Sequence, residues 1–317
     1  MAFTTDGIGL WEIGERAVRS GIVDSSGTAT TTQPHTGSYC LHLNYQAHYI
    51  TLPTPRADIY TTQWCRPTAG DVRIVFRIDG NEIVRLQYNN PYWDAYVDGV
   101  KVADGNIATI ASEWQRVSCH IVIADAGTID TKIDGITDIE YSGDTKPGAV
   151  TDIDEIGFYA PVFDTLYVDD WVFGSGGWPG DRRVEFKAVT SDITQAWTPS
   201  TGSDNYACVD ERPPDDNDYV SCTTDQTDEY GVADFDATGK GIGSVTVIAR
   251  VKKSDAGSDD KITLGMGDGV NTDDGTAESV LTSYEHHWYL STTAPDGGAW
   301  TDTDVDNLQI RLLGDIA

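Results

Sequence analysis

The stretch Thr165-Leu-Tyr-Val-Asp-Asp-Trp-Val-Phe-Gly-Ser-Gly-Gly-Trp-Pro-Gly-Asp-Arg-Arg-Val-Glu-Phe186 decides the fold. Thr165–Phe173 is built of β-branched and aromatic residues that alternate around Asp169-Asp170, the composition of a strand. Glycines at 174, 176, 177 and 180 with Pro179 then break the pattern. Val184-Glu185-Phe186 opens a second strand-like run. The stretch therefore reads as the closing strand of one β domain, a short linker over 175–183 and the opening strand of another.

Working outward gives more strands. In Tyr39–Tyr45, Tyr39, Leu41, Leu43 and Tyr45 alternate with Cys40, His42 and Asn44, as in a half-buried antiparallel strand. Short runs follow at 61–66, 72–78, 82–88, 92–97, 100–103, 114–123, 128–133 and 152–159. Asp79-Gly80, Asp98-Gly99 and Asp134-Gly135 lie between them, and Asp-Gly favours tight hairpins because glycine accepts positive φ. Beyond the linker, strands are expected at 184–189, 206–209, 219–222, 229–234, 244–252, 261–267, 279–284, 286–292 and 308–313, with one helical turn over Thr301–Asn307. The expected fold is all-β: an N-terminal arm or edge strand (1–36, with Gly9–Ile13 as the strand), a β-sandwich over 37–174, and a smaller, jelly-roll-like second sandwich over 184–317.

Composition narrows the function. Fifty-one acidic against 21 basic residues in a chain of 317 give a net charge of −30, which repels nucleic acid. No apolar run reaches the about 18 residues of a membrane-spanning helix, and Met1–Gly7 has no secretory pattern. The five cysteines contain no close Cys-x-x-Cys pair, which argues against a zinc or redox motif; Cys119 alternates with core residues, and Cys208 and Cys222 flank a loop they can bridge, reduced thiols being the expected state. No nucleophile elbow or His-Glu-x-x-His occurs, and Gly239–Gly243 reads as a hairpin turn rather than a phosphate loop.

Two resemblances follow. Val72–Gly80, Ile83–Tyr88, Trp93–Val102 and Glu113–Ile123, with Leu166–Phe173 as a terminal strand, resemble a LamG-like, concanavalin-A-like jelly roll over about residues 37–174. The ordered segments Val168–Phe173, Gly180–Glu185, Trp197–Tyr206, Val209–Val220 and Gly298–Thr301 resemble accessory structural proteins of tailed bacteriophages over about 165–313. The second resemblance implies a virion component made in the host cytoplasm: a capsid decoration or head-fibre protein that binds major capsid or tail proteins and is homo-oligomeric, a trimer being one fitting symmetry. The alternative is a tail-associated protein that binds a surface glycan. A glycoside hydrolase is the weakest reading, because Asp152, Asp154 and Glu155 depart from the alternating acids of concanavalin-A-like glucanases.

The expectation is therefore no enzyme, no cofactor and no metal. Calcium is weighed at Asp169-Asp170, Asp215–Asp218 and Asp268–Thr276, and each reads first as solvated acid. His286-His287 face opposite sides of a strand and do not chelate together. Among the tryptophans, Trp64 and Trp114 read as exposed, and Trp93, Trp178, Trp197 and Trp300 are the expected contact residues. Trp178 in the linker is the expected interdomain or intersubunit anchor.

Overall fold

The computed structural model describes residues 4–8, 27–68, 70–235 and 241–317. The expected strand at Gly9–Ile13 and part of Gly239–Gly243 lie outside them. The chain divides into two compact units, Met1–Glu185 and Phe186–Ala317.

The first unit carries β1 (Thr4–Ile8), β2 (Thr28–Thr30), β3 (Cys40–Asn44), β4 (Ala47–Arg56), β5 (Asp58–Pro67), β6 (Arg73–Ile78) and β7 (Asn81–Tyr88). Then come β8 (Trp93–Val97), β9 (Val100–Ala103), β10 (Gln115–Val122), β11 (Gly127–Ile133), β12 (Ile136–Gly143), β13 (Ile153–Tyr159) and β14 (Thr165–Ser175). One sheet runs β12-β11-β10-β5-β14-β3-β2, with β1 also on β14; the other runs β4-β13-β6-β7-β8-β9. The hairpin turns at Asp79-Gly80, Asp98-Gly99 and Asp134-Gly135 have positive φ at both residues, so the Asp-Gly reading holds.

Alternation places the core between the sheets. In β11 every second residue is buried, with Ile129, Thr131 and Ile133 inward. Leu41, Ile50, Phe76, Leu86, Cys119, Phe158 and Trp171 belong to one buried cluster. Each such aliphatic or phenyl side chain contributes roughly 1.5–3 kcal/mol of hydrophobic stabilisation. Trp171 meets Phe158 edge-on at 4.8 Å and donates its indole N–H to Thr61 Oγ1 at 2.9 Å, so its one polar atom is satisfied. The strands β4 and β12 were not expected. Both are sheet edges.

The second unit carries β15 (Val189–Thr194), β16 (Thr198–Pro199), β17 (Val220–Ser221), β18 (Gln226–Val232), β19 (Val245–Val251) and β20 (Lys261–Gly267). It continues with β21 (Thr272–Asp274), β22 (Glu278–Ser279), β23 (Glu285–Ser291), the short α1 (Asp302–Asp306) and β24 (Gln309–Asp315). The main sheet is β15-β18-β24-β20-β21, with β22 on β20; β19 and β23 form a separate ribbon. Val247 of that ribbon joins Tyr230, Leu264, Met266, Trp300 and Leu312 of the other elements in one core.

Two expectations here are corrected. The opening strand begins at Val189, not Val184. Residues 206–209 form no strand: Tyr206–Cys208 is a 3-10 turn, because Asp192 accepts from the N–H groups of both Asn205 and Tyr206 and curls the chain. The expected helical turn is present, with a capping box between Thr301 and Asp304.

Candidate functional site

The outer face of the β4–β9 sheet gathers side chains from six strands. Strand register aligns Tyr49, Gly157, Val75, Arg85, Tyr96 and Lys101 in one row. A second row aligns Ala47, Tyr159, Arg73, Gln87 and Asp94, and a third aligns Thr51, Glu155, Arg77 and Glu82. Five steps between strands make the first row about 24 Å wide. Gly157 is the floor: a Cβ there would lie 2.1 Å from the His48 carbonyl oxygen and 2.6 Å from Tyr49 Cδ1. Its lack of a side chain lets the Tyr49 ring lie down on the sheet.

Each arginine of this face is paired with a tyrosine. The guanidinium carbons of Arg77, Arg85 and Arg73 stand 4.1, 4.0 and 5.2 Å from the ring centres of Tyr49, Tyr96 and Tyr159. Each is also fixed by polar partners. Arg77 donates through Nε to the Gly80 carbonyl at 2.9 Å and its Nη1 lies 3.2 Å from Glu155. Arg85 donates to Gln87 Oε1 at 2.8 Å and pairs with Glu82. Arg73 donates through Nε to Asp71 at 3.2 Å, and Lys101 Nζ lies 3.3 Å from Asp94. Asn89 donates to Asp94 at 2.7 Å and to the Tyr96 hydroxyl at 3.0 Å. The face thus presents fixed guanidinium donors, carboxylate and amide acceptors, and the half-buried Tyr96 and Tyr159 beside their arginines, while Tyr49 is buried beneath Arg77. Groups held in place before binding lose little entropy when a ligand arrives.

None of the expected contact tryptophans stands on this face. Trp93 is fully buried, donating to Gln115 Oε1 at 3.0 Å, and Trp300 is 6% exposed, donating to the Ser291 carbonyl at 3.2 Å. Both are core residues, because a strand or loop that buries an indole needs one acceptor for its N–H. Trp178 packs within the first unit, on the outer face of the opposite sheet, 5.7 Å edge-on from Tyr60 with Lys132 Nζ 4.2 Å over its ring. Trp197 is half-buried and donates to the Gln226 carbonyl at 3.2 Å. Trp64 and Trp114 are half-buried around His35, whose ring stacks on Trp64 at 3.8 Å.

Asp169 and Asp170 were expected on opposite faces. A bulge between Asp169 and Val172, with Asp170 at φ +49°, turns both carboxylates toward the segment before β3. Asp169 Oδ2 accepts from the N–H groups of His35 (2.8 Å) and Thr36 (3.1 Å), and Oδ1 from Asp170 N–H (2.8 Å). Asp170 accepts from Thr36 Oγ1 (2.8 Å) and Val184 N–H (2.8 Å), and its Oδ2 lies 2.9 Å from His35 Nδ1. Burial, then the neighbouring Asp170, pushes the Asp169 carboxyl up to about 7. All four oxygens face nitrogen or hydroxyl donors rather than the six or more oxygen ligands calcium takes, so this arrangement does not fit that ion.

The other acidic loops also spend their carboxylates locally. Asp216 pairs with Arg250, and Asp268 accepts from the N–H groups of Val270 and Asn271. No cluster of three or more His, Cys, Asp or Glu with metal-holding geometry occurs among the described residues. Asp152 accepts from Thr151 Oγ1 at 2.7 Å and Asp154 from Asp79 N–H at 3.0 Å, so these acids serve different contacts. Cys208 and Cys222 are free thiols.

No protein-family model and no curated protein matches the sequence. Among solved structures, the chain is similar to the cellulose-induced protein Cip1, at 16% identity over 51% of this chain and 89% of that one, with a TM-score of 0.39. It is similar to an endo-β-1,4-glucuronan lyase from Trichoderma reesei, at 9% identity over 55% and 95% of the two chains, TM-score 0.41. A tetrameric galectin from the ball sponge Cinachyrella matches at 12% identity over 41% and 99%, TM-score 0.33. All three TM-scores lie below 0.5, so the all-β fold rests on the sheets of this chain itself. None of these likenesses shows a LamG family or a bacteriophage origin.

Proposed function

We propose that this chain binds an uncharged glycan on the outer face of the β4–β9 sheet and catalyses nothing there. The observation that carries the reading is the set of aligned rows in which arginines stack on Tyr49, Tyr96 and Tyr159. Sugar rings offer hydroxyl groups at the rim and C–H groups on the faces. Fixed guanidiniums, carboxylates and amides answer the first, and the flat guanidinium–tyrosine stacks at the half-buried Tyr96 and Tyr159 answer the second. The cations of the face are already paired with Asp71, Glu82, Asp94 and Glu155, so an anionic sugar would have to displace a carboxylate of the protein. The net charge of −30 opposes an anionic polymer further. Those carboxylates already serve as acceptors for the cations of the face, and a sugar hydroxyl can donate to them in the same way.

The test is a glycan array followed by titration calorimetry with the wild-type chain and Arg85→Ala. The expected result is binding to neutral glycans and at least about tenfold weaker binding by the variant. Failure of the wild type to bind any glycan, with recovery on virus particles, would move the reading to the structural component expected from residues 165–313.

A further inference from the structure

Two turns stand side by side at one end of β4 and β13. Tyr159 pairs with Ala47, Thr165 pairs with Asn44, and Ala160 N–H donates to the Gln46 carbonyl at 2.9 Å. The β3–β4 turn therefore adjoins the β13–β14 turn, at the end of the row that holds Tyr159 and Arg73. Their tips are apolar and exposed: Tyr45 is 62%, Val162 47% and Phe163 95% exposed.

The backbone makes this placement costly. Asp164 N–H donates to the Pro161 carbonyl at 3.1 Å, closing a turn in which Phe163 is the third residue, at φ +72°. Positive φ at that position belongs to glycine or asparagine. Tyr45 is also left-handed, at φ +61°. Two aromatic residues thus share a strained backbone state and an open ring at adjoining tips. Neither feature serves the core, since both rings point to water. Backbone strain of this kind clusters where a ligand is held.

We infer that Tyr45 and Phe163 form an aromatic platform that extends the glycan face past the ends of β4 and β13, stacking on the C–H face of a sugar in the same bound chain. The inference rests on the reading of the β4–β9 face as a glycan site. Continuity supports it: Ala47 and Tyr159 lie next to the tips in their own strands, and Tyr159 already carries the Arg73 guanidinium. The ligand is then a chain of several sugar units rather than a single terminal sugar, because the platform lies beyond the rows that engage it first.

The experiment is titration of an array-selected neutral oligosaccharide series of increasing length into four chains: wild type, Phe163→Gly, Phe163→Asn and Tyr45→Ser. Glycine and asparagine both take the left-handed state, so the Phe163 variants are expected to melt at or above the wild-type temperature. The expected binding result is a loss of about three- to tenfold for the longer oligosaccharides, with the shortest that binds unaffected. Unchanged affinity in all three variants, while Arg85→Ala remains impaired, overturns the platform and leaves the glycan reading in place. No oligosaccharide binding by the wild type overturns the reading on which the platform depends.

Discussion

Asp169 shows how one buried carboxylate sets a pH dependence. Its folded carboxyl titrates near 7, against an ordinary value near 4, because burial and Asp170 outweigh the three N–H groups that favour the charged form. Between those two values the folded state holds a proton that the unfolded state has released. Stability contributed by this group is therefore complete below about pH 4 and falls as pH rises through about 7. Thermal melts at pH 5 and pH 8 should show the lower melting temperature at pH 8, and the difference should shrink in Asp169→Asn. A difference of the same size in the variant would assign the trend to other acids. The same position shows where sequence reading stopped. Alternation sends adjacent side chains to opposite faces, and only the bulge at Asp170 brings both onto His35 and Thr36.

At the scale of the element, β13 and β4 decide whether the face exists. Alanine at Gly157 would press on the His48 carbonyl and on the Tyr49 ring. Gly157→Ala should cost about 1–3 kcal/mol of stability, read by chemical denaturation. It should also weaken glycan binding by moving Tyr49, whereas a variant that binds normally would remove Tyr49 from the site. The strands that sequence reading found are those whose alternation is clean, such as β6, where Ile74 and Phe76 face the core opposite Arg73, Val75 and Arg77. The strand β4 hid behind Leu52-Pro53-Thr54-Pro55-Arg56, because prolines break a strand pattern; β4 tolerates them as a sheet edge. The strand β12 hid behind Thr137-Asp138 and Glu140: Glu140 is exposed on the sheet edge, and Asp138 is buried where it accepts from the N–H groups of Asn106 and Ile107. The tryptophans misled for a related reason. Composition counts indoles but does not say which find an acceptor inside, as Trp93 and Trp300 do. The site itself was not legible, since Tyr49 and Arg85 come onto one row only through β13 and β6, and β13 lies far along the chain from β4.

At the scale of the whole molecule, the charge of −30 and the pre-paired cations of the face make opposite demands on salt. Like charges spread over a surface repel one another in the compact state, and salt screens them over about 8 Å at physiological ionic strength. The melting temperature should therefore rise between low salt and about 0.15 M salt. Binding of an uncharged glycan releases no counterions and forms no new ion pair, so its dissociation constant should stay within about twofold over the same range. An anionic ligand behaves differently: it must approach a negative protein and displace Glu82 or Glu155 from an arginine, and its affinity changes steeply with ionic strength. Titration of one array-selected neutral glycan at both salt concentrations, beside melts of the same samples, separates the two. A melting temperature that rises while affinity holds is the expected pair. Affinity for the neutral glycan that moves strongly with salt would mean that binding breaks the arginine–carboxylate pairs of the face, and would end the reading in which the ligand meets those pairs intact.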